Sequence, residues 1–350
     1  MLHKYTILLL GLFYFPFYCF AQNRGYKNYE ILNTQVSARI VALGSNANSV
    51  KDGDLNFGIY NPALLDSNCD NQIVFNYANY LSNLNFGQVG FGKTLKNDLT
   101  LQASIQNIGY GNFAQTNIYG EVEGSFKAND YVFSVGAGKP IDSLFTIGAN
   151  IKFVYSELEQ YKSTALALDL SGIYCNVRNY VTATFMIRNI GAPLTSYTEN
   201  EKEQLPLDIQ FGVSKKLGKA PLRFGLMLEN LQKWDLTYTN PASLNQTDPL
   251  TGEKIVVKEA GFGKKFLLHT IINTEVLITK NFNLRFGYNY RRRQELKLEN
   301  RPATSGITYG LGFRISKFHL SYGHATYNLG AGTNHIGVSV KFADFKKKQS

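Results

Sequence analysis

The sequence predicts an all-β protein, a transmembrane antiparallel β-barrel of about 14 strands with an N-terminal plug segment. Three observations predict it. Segments from residue 71 onward alternate with period two, their connections sort into short and long by parity, and a polar stretch of small and acidic residues precedes the first of them.

Fourteen alternating segments fall at approximately 71–81, 85–94, 98–111, 129–139, 143–157, 161–175, 179–190, 205–217, 221–237, 263–279, 282–294, 304–316, 318–328 and 333–342. In the fifth, Phe145, Ile147, Ala149, Ile151, Phe153 and Tyr155 share one face, and Thr146, Gly148, Asn150, Lys152 and Ser156 lie on the other. Leu207, Ile209, Phe211 and Val213 oppose Asp208, Gln210, Gly212 and Ser214 in the eighth. The eleventh and twelfth repeat the pattern, with Leu284, Phe286, Tyr288 and Tyr290 and then Ile307, Tyr309, Leu311 and Phe313 as the apolar rows. Period two puts each set on its own side of a sheet. A soluble sandwich packs its large apolar residues inward and exposes charge. Here the apolar faces end in Tyr or Phe while the polar faces combine glycine with scattered charge, which fits lipid outside, an aqueous lumen inside and aromatic girdles.

Connections after even-numbered segments are short, such as 95–97, 140–142, 176–178, 218–220, 280–281 and Lys317. The long ones, 112–128, 191–204, 238–262 and 295–303, all follow odd-numbered segments. Short periplasmic turns and long outer loops are the habit of outer-membrane barrels, and they place both ends of the barrel on the periplasmic side. The final segment, His335 to Phe342, alternates and closes on an aromatic residue, with a basic tail at 343–350.

Residues 1–21 carry Lys4, an apolar run from Ile7 to Phe20 and the small-residue site Cys19-Phe20-Ala21, which predicts a secretory signal peptide cleaved after Ala21. That leaves a plug segment at 22–70 and a barrel at 71–342. The formal charge of +10 is concentrated in Arg291-Arg292-Arg293 and Lys346-Lys347-Lys348. For an exported chain these runs face solvent or anionic headgroups rather than nucleic acid. Cys69 and Cys175 allow one disulfide without implying a framework.

Enzymatic constellations are not found. HExxH does not occur, and His319 and His335, on lumen faces of neighbouring strands, lack carboxylates at ligand spacing. Gly261-x-Gly263-Lys264 lacks the spacing of a phosphate loop and the helix that would follow it. Trp234-Asp235 occurs once and reads as an interfacial Trp. Catalytic residues, metal and cofactor are therefore expected to be none. Arg285, Arg291, Arg314 and Lys341 against Asp169, Asp208, Glu229 and Glu275 predict a lumen of mixed sign, suited to holding a plug. Eight strands already enclose a lumen that side chains can fill, so a fourteen-strand barrel needs further filling. Arg39, Gly44, Asp52, Asp54 and Asp66 belong to the stretch expected to supply it, with Asn61-Pro62-Ala63 as the turn delivering the chain to the first strand.

Several of these residues also carry a resemblance. Ser37-Ala38-Arg39, Leu43-Gly44, Asp52-x-Asp54, Tyr60-Asn61-Pro62-Ala63-Leu64-Leu65, Gly148 to Ser156 and Glu229 to Tyr238, followed through the barrel, resemble the fatty-acid-transporter-like outer-membrane barrels that carry an N-terminal hatch. Within these the match is to the PorV/PorQ group of the type IX secretion system. The resemblance implies a membrane-embedded part of a cell-surface attachment complex. Its partners would be a PorZ-like surface protein, a PorU-like sortase and a PorV-like barrel, beside lipid and lipopolysaccharide. Partner docking is expected on the outer loops, through Asn112, Phe113 and Tyr119 and through Tyr238, Asn240 and Pro241. The alternative is a transporter of hydrophobic solutes, which predicts a lateral opening or an apolar pocket through the plug.

Overall fold

The computed structural model describes residues 29–80, 84–198, 203–237, 260–296, 304–326 and 332–345. Among them fourteen strands form one closed antiparallel sheet in which each strand pairs with its sequence neighbours. The first half runs β1 (Gln72–Asn79), β2 (Asn85–Thr94), β3 (Thr100–Thr116), β4 (Val122–Pro140), β5 (Phe145–Leu158), β6 (Tyr161–Asn176) and β7 (Val181–Thr195). The second runs β8 (Asp208–Lys216), β9 (Leu222–Leu228), β10 (Thr270–Val276), β11 (Phe282–Asn289), β12 (Ile307–Ile315), β13 (Phe318–Thr326) and β14 (Gly332–Lys341). Closure comes from β1 on β14, in register from Gln72 opposite Lys341 to Asn79 opposite Asn334. A closed sheet has no free edge, the condition for a sheet to cross lipid.

The wall follows the alternation. On β5, Phe145, Ile147, Ile151 and Phe153 are exposed on the outer surface, whereas Thr146, Asn150, Lys152 and Ser156 are buried inside. Phe286 and Tyr288 point outward from β11 while Arg285 and Asn289 are buried.

The interior is occupied by the chain ahead of β1. A one-turn 3-10 segment at Glu30–Leu32 is followed by α1 (Ala38–Ala42), α2 (Leu55–Tyr60) and 3-10 turns at Pro62–Leu64 and Ser67–Cys69. These pieces are short because caps stop and start them. Asp54 accepts from the Asn56 amide at the head of α2, and Asn61 accepts from the Ala63 amide with Pro62 in the first position of the next turn. One apolar cluster, of Ile40, Leu43, Val50, Phe57, Ala63 and Leu64, joins α1 and α2 to Ile173 of the wall. A second sets Tyr29, Ile31 and Leu32 against Ile108, Val132, Val154, Ala165 and Ala167.

Four expectations are corrected. Residues 112–116 and 122–128 are not loop: β3 and β4 continue as a hairpin beyond the pairing of their outer neighbours, because the alternation Phe113, Gln115 against Phe126, Gly124 sustains the ladder. The ninth segment stops at Leu228, and 229–237 fold over the rim, where the Leu231 amide donates to the Ile209 carbonyl. The head of the tenth is a helix, α3 (Phe262–Leu268), and the end of the eleventh another, α4 (Tyr290–Glu295). Neither stretch contains a β-branched residue, and Lys, Leu, Arg, Gln and Glu favour helix. A helix therefore does follow Gly261-x-Gly263-Lys264, although the glycines still lack phosphate-loop spacing. The signal peptide, residues 22–28 of the plug and residues 346–350 lie outside the described residues.

Candidate functional site

Arg39 leaves α1 into the middle of the lumen. Its Nη2 donates to Asp52 Oδ2 at 2.6 Å, its Nη1 to Asp54 Oδ2 at 2.9 Å and its Nε to Glu275 Oε1 at 3.0 Å. The guanidinium also stacks over the Phe57 ring, 4.8 Å from its centroid. Glu275 on β10 stands between Arg223 of β9 and Arg285 of β11 in the sheet register. Arg223 bonds Glu275 at 2.5 Å and Asp52 at 2.9 Å, and Arg285 lies 3.4 Å from Glu275. Three guanidiniums thus meet three carboxylates, two from the plug and one from the wall. The Glu275 side chain is 1% exposed. Burial alone would raise the Asp52 carboxyl, but Arg39 and Arg223 outweigh it and hold it well below the usual carboxylate range.

The plug is seated by the wall's inward glycines. A Cβ on Gly323 would lie 2.2 Å from the Ala38 carbonyl oxygen, and one on Gly287 2.1 Å from the Gly44 amide nitrogen. One on Gly148 would meet the Pro62 carbonyl carbon at 2.3 Å, and one on Gly310 the Ala42 Cβ at 2.5 Å. Gly44 itself takes φ +93°, a conformation that L side chains rarely adopt, and its amide donates to Thr308 Oγ1 at 2.9 Å. Around the circumference the seating is polar. Arg188 of β7 donates to the Leu32 carbonyl at 3.0 Å, Thr184 of the same strand to Asn48 at 2.9 Å, Ser214 of β8 to Ser49 at 2.6 Å, and His335 of β14 to Val36 at 3.0 Å.

The sequence-nominated residues thus separate into groups. Arg39, Asp52 and Asp54 come together, whereas Gly44 sits against β11 and β12. Asp66 caps the last 3-10 turn instead of joining the ion pairs. Asn61, Pro62 and Ala63 rest against β4, β5 and β6, with the Ala63 amide donating to Ser171 Oγ at 3.1 Å. They are therefore not the turn that delivers the chain to β1; Ser67–Cys69, packed on β2, does that. Asn112 and Phe113 lie on the extension of β3, where Phe113 stacks on Phe126 with centroids 5.3 Å apart. Tyr119 is at its tip, 83% exposed, beside Ile118 at 92%. Tyr238, Asn240 and Pro241 lie outside the described residues.

Of the other lumen charges, Arg291 pairs with Glu229, Asp169 with Lys152, and Arg314 with Asp344 at the rim where β1 begins and β14 ends. His319 and His335 are not brought together: His319 faces Ser339 across the ladder and His335 faces Gly323. Cys69 and Cys175 are free thiols, and burial pushes the Cys69 thiol up to about 12. Arg223 was not singled out from the sequence, although its period-two phase with Gly225 and Met227 aims it into the lumen.

No protein-family model and no curated protein matches the chain. Among solved structures, a deltaS2 mutant of the TodX monoaromatic hydrocarbon channel matches at TM-score 0.50 and 13% identity, covering 89% of this chain and 98% of that one. The Pseudomonas putida toluene transporter TodX matches at 0.48 and 11%, over 87% and 96% of the two chains. A Pseudomonas aeruginosa FadL homologue matches at 0.48 and 10%, over 88% and 98%. The first likeness shows the fold: the described residues form a closed fourteen-strand antiparallel β-barrel of the architecture seen in that channel.

Proposed function

We propose that this barrel is a non-enzymatic component of a type IX secretion system, of the PorQ kind, which anchors a surface partner of the attachment complex on its outer side. What carries the proposal is the filled lumen. The plug is bonded to wall strands around the circumference, and its backbone lies directly on the wall's glycines. A barrel so filled offers its outer surface for work. That surface presents the β3–β4 hairpin, whose tip exposes Ile118, Tyr119 and Val122. The sequence resemblance through Asn61 to Leu65 and Glu229 to Tyr238 adds the identity of the complex. The PorZ-like protein is the expected partner on the hairpin, with the PorU-like sortase and PorV-like barrel alongside.

A second reading, a channel for hydrophobic solutes, is favoured by one specific observation. The inner faces of β3 to β6 are apolar where Ile108, Val132, Val154, Ala165 and Ala167 meet Tyr29, Ile31 and Leu32. Withdrawal of that short 3-10 turn would leave an apolar pocket, and TodX is described as a hydrocarbon channel on the same fold. Against it, the register break between β6 and β7 at Leu168/Leu170 stays bonded. There the Asn189 amide donates to Asp169 Oδ1 at 2.9 Å, and pairing resumes on both sides.

Affinity purification of the tagged full-length barrel from native outer membranes separates the two. The scaffold reading expects surface proteins to copurify, and expects deletion of residues 113–126 to release them while the barrel still assembles. Bound hydrophobic solute without a protein partner would overturn it in favour of the channel.

A further inference from the structure

The periplasmic half of the lumen holds a cavity of about 670 Å³ below the plug. We propose that it is a binding site for an oxyanion, a phosphate or carboxylate group entering from the periplasm. This goes beyond the surface-scaffold reading and does not depend on it.

The lining is built from adjacent strands. The inward positions of β13 and β14 carry His319 and Ser321, then Ser339 and Lys341, and Arg285 of β11 forms the deep end. Arg285 is 4% exposed, donates through Nη1 to Ser321 Oγ at 3.2 Å, and turns its Nε to Glu275 at 3.4 Å. Because Ser321 accepts from Arg285, its own hydroxyl proton is available to the cavity. A buried guanidinium, two hydroxyls, an imidazole and an ammonium therefore line one path from the interior to the rim.

The balance of charge points the same way. Every carboxylate on the lining is already engaged: Asp52 by Arg39 and Arg223, Asp54 by Arg39, and Asp344 by Arg314. Lys216, Lys280 and Lys341 line the same cavity and form no ion pair among the described residues. The opposite vestibule, about 520 Å³, has no such surplus, since Glu30, Asp208, Glu229 and Glu295 face Arg188, Arg291 and Arg292. Among the described residues, the unpaired cationic surplus thus lies at this mouth of the barrel. At an effective dielectric of about 20, each cation attracts an anion roughly fourfold more strongly than in bulk water.

Isothermal titration of the full-length barrel in detergent, at constant ionic strength, tests this with inorganic phosphate in one arm and succinate in the other. Saturable binding of either anion, weakened about tenfold by Lys341→Gln and by His319→Gln with Ser339→Ala, is expected. Lys162→Gln, on the extracellular side, should leave the affinity unchanged. The stronger arm identifies the oxyanion preferred. Absence of saturable heat in both arms, or equal affinity in the cavity variants once they migrate as folded barrels, would overturn the proposal. If Lys341→Gln fails to assemble, the His319/Ser339 pair decides.

Discussion

At the residue scale the structure turns on Glu275. Its carboxylate is 1% exposed and touches three guanidiniums, so neutralising it leaves buried positive charge without a counter-charge. Breaking such a pair costs about 3–5 kcal/mol. Glu275→Gln is therefore expected to lower markedly the temperature at which the folded band converts to the unfolded one on a detergent gel. Asp52 gives a pH dependence of defined sign. Its folded pKa lies below the unfolded one, so the stabilisation is complete above the ordinary carboxylate range, near 4, and disappears only as pH falls well below it. The difference in thermal stability between wild type and Asp52→Asn should hold constant from pH 7 to pH 5 and shrink only in stronger acid. A difference that already shrinks by pH 5 would contradict this. Arg39, Asp52 and Asp54 were legible as a group because small, acidic and basic residues stand together before the first strand. Glu275 was legible as a lumen acid, but not as the partner of Arg39. Glu275 is 236 positions from Arg39, and period two supplies a face for a side chain but not a height along the lumen.

At the element scale the wall strands were legible and their exceptions were not. Alternation carries into β3 and β4 past residue 111, but Gly, Asn and Gln there read equally well as loop. α3 and α4 occupy six or seven residues each, too short for a helical period to separate from an alternating one. The glycines show the limit most clearly. In the sequence glycine is one component of the polar faces; in the structure Gly310 and Gly323 are seats that let the Ala42 Cβ and the Ala38 carbonyl of α1 touch the wall. Gly323→Val is thus expected to lift α1 from β13 without unfolding the sheet. Proteolysis from the periplasmic side should then cut the plug in Gly323→Val but not in wild type, with the barrel fragment still heat-modifiable. Equal resistance in both proteins would show that the seat is not needed.

At the scale of the whole molecule, the alternation set the number of strands and loop parity the side on which each connection lies, because a closed antiparallel sheet must alternate its turns. It could not tell a pore from a closed cylinder. That depends on whether the preceding chain bonds to the lumen, and the structure shows it doing so on wall strands around the circumference. The surface hairpin and the oxyanion cavity are then two separate faces of a barrel divided by its own plug. Planar-bilayer recording of the reconstituted protein tests this division most directly. Wild type is expected to give no ion-conducting steps, and Glu275→Gln to give intermittent ones as the plug loosens. Steady conductance from wild type, equal to that of a variant lacking residues 29–66, would contradict it.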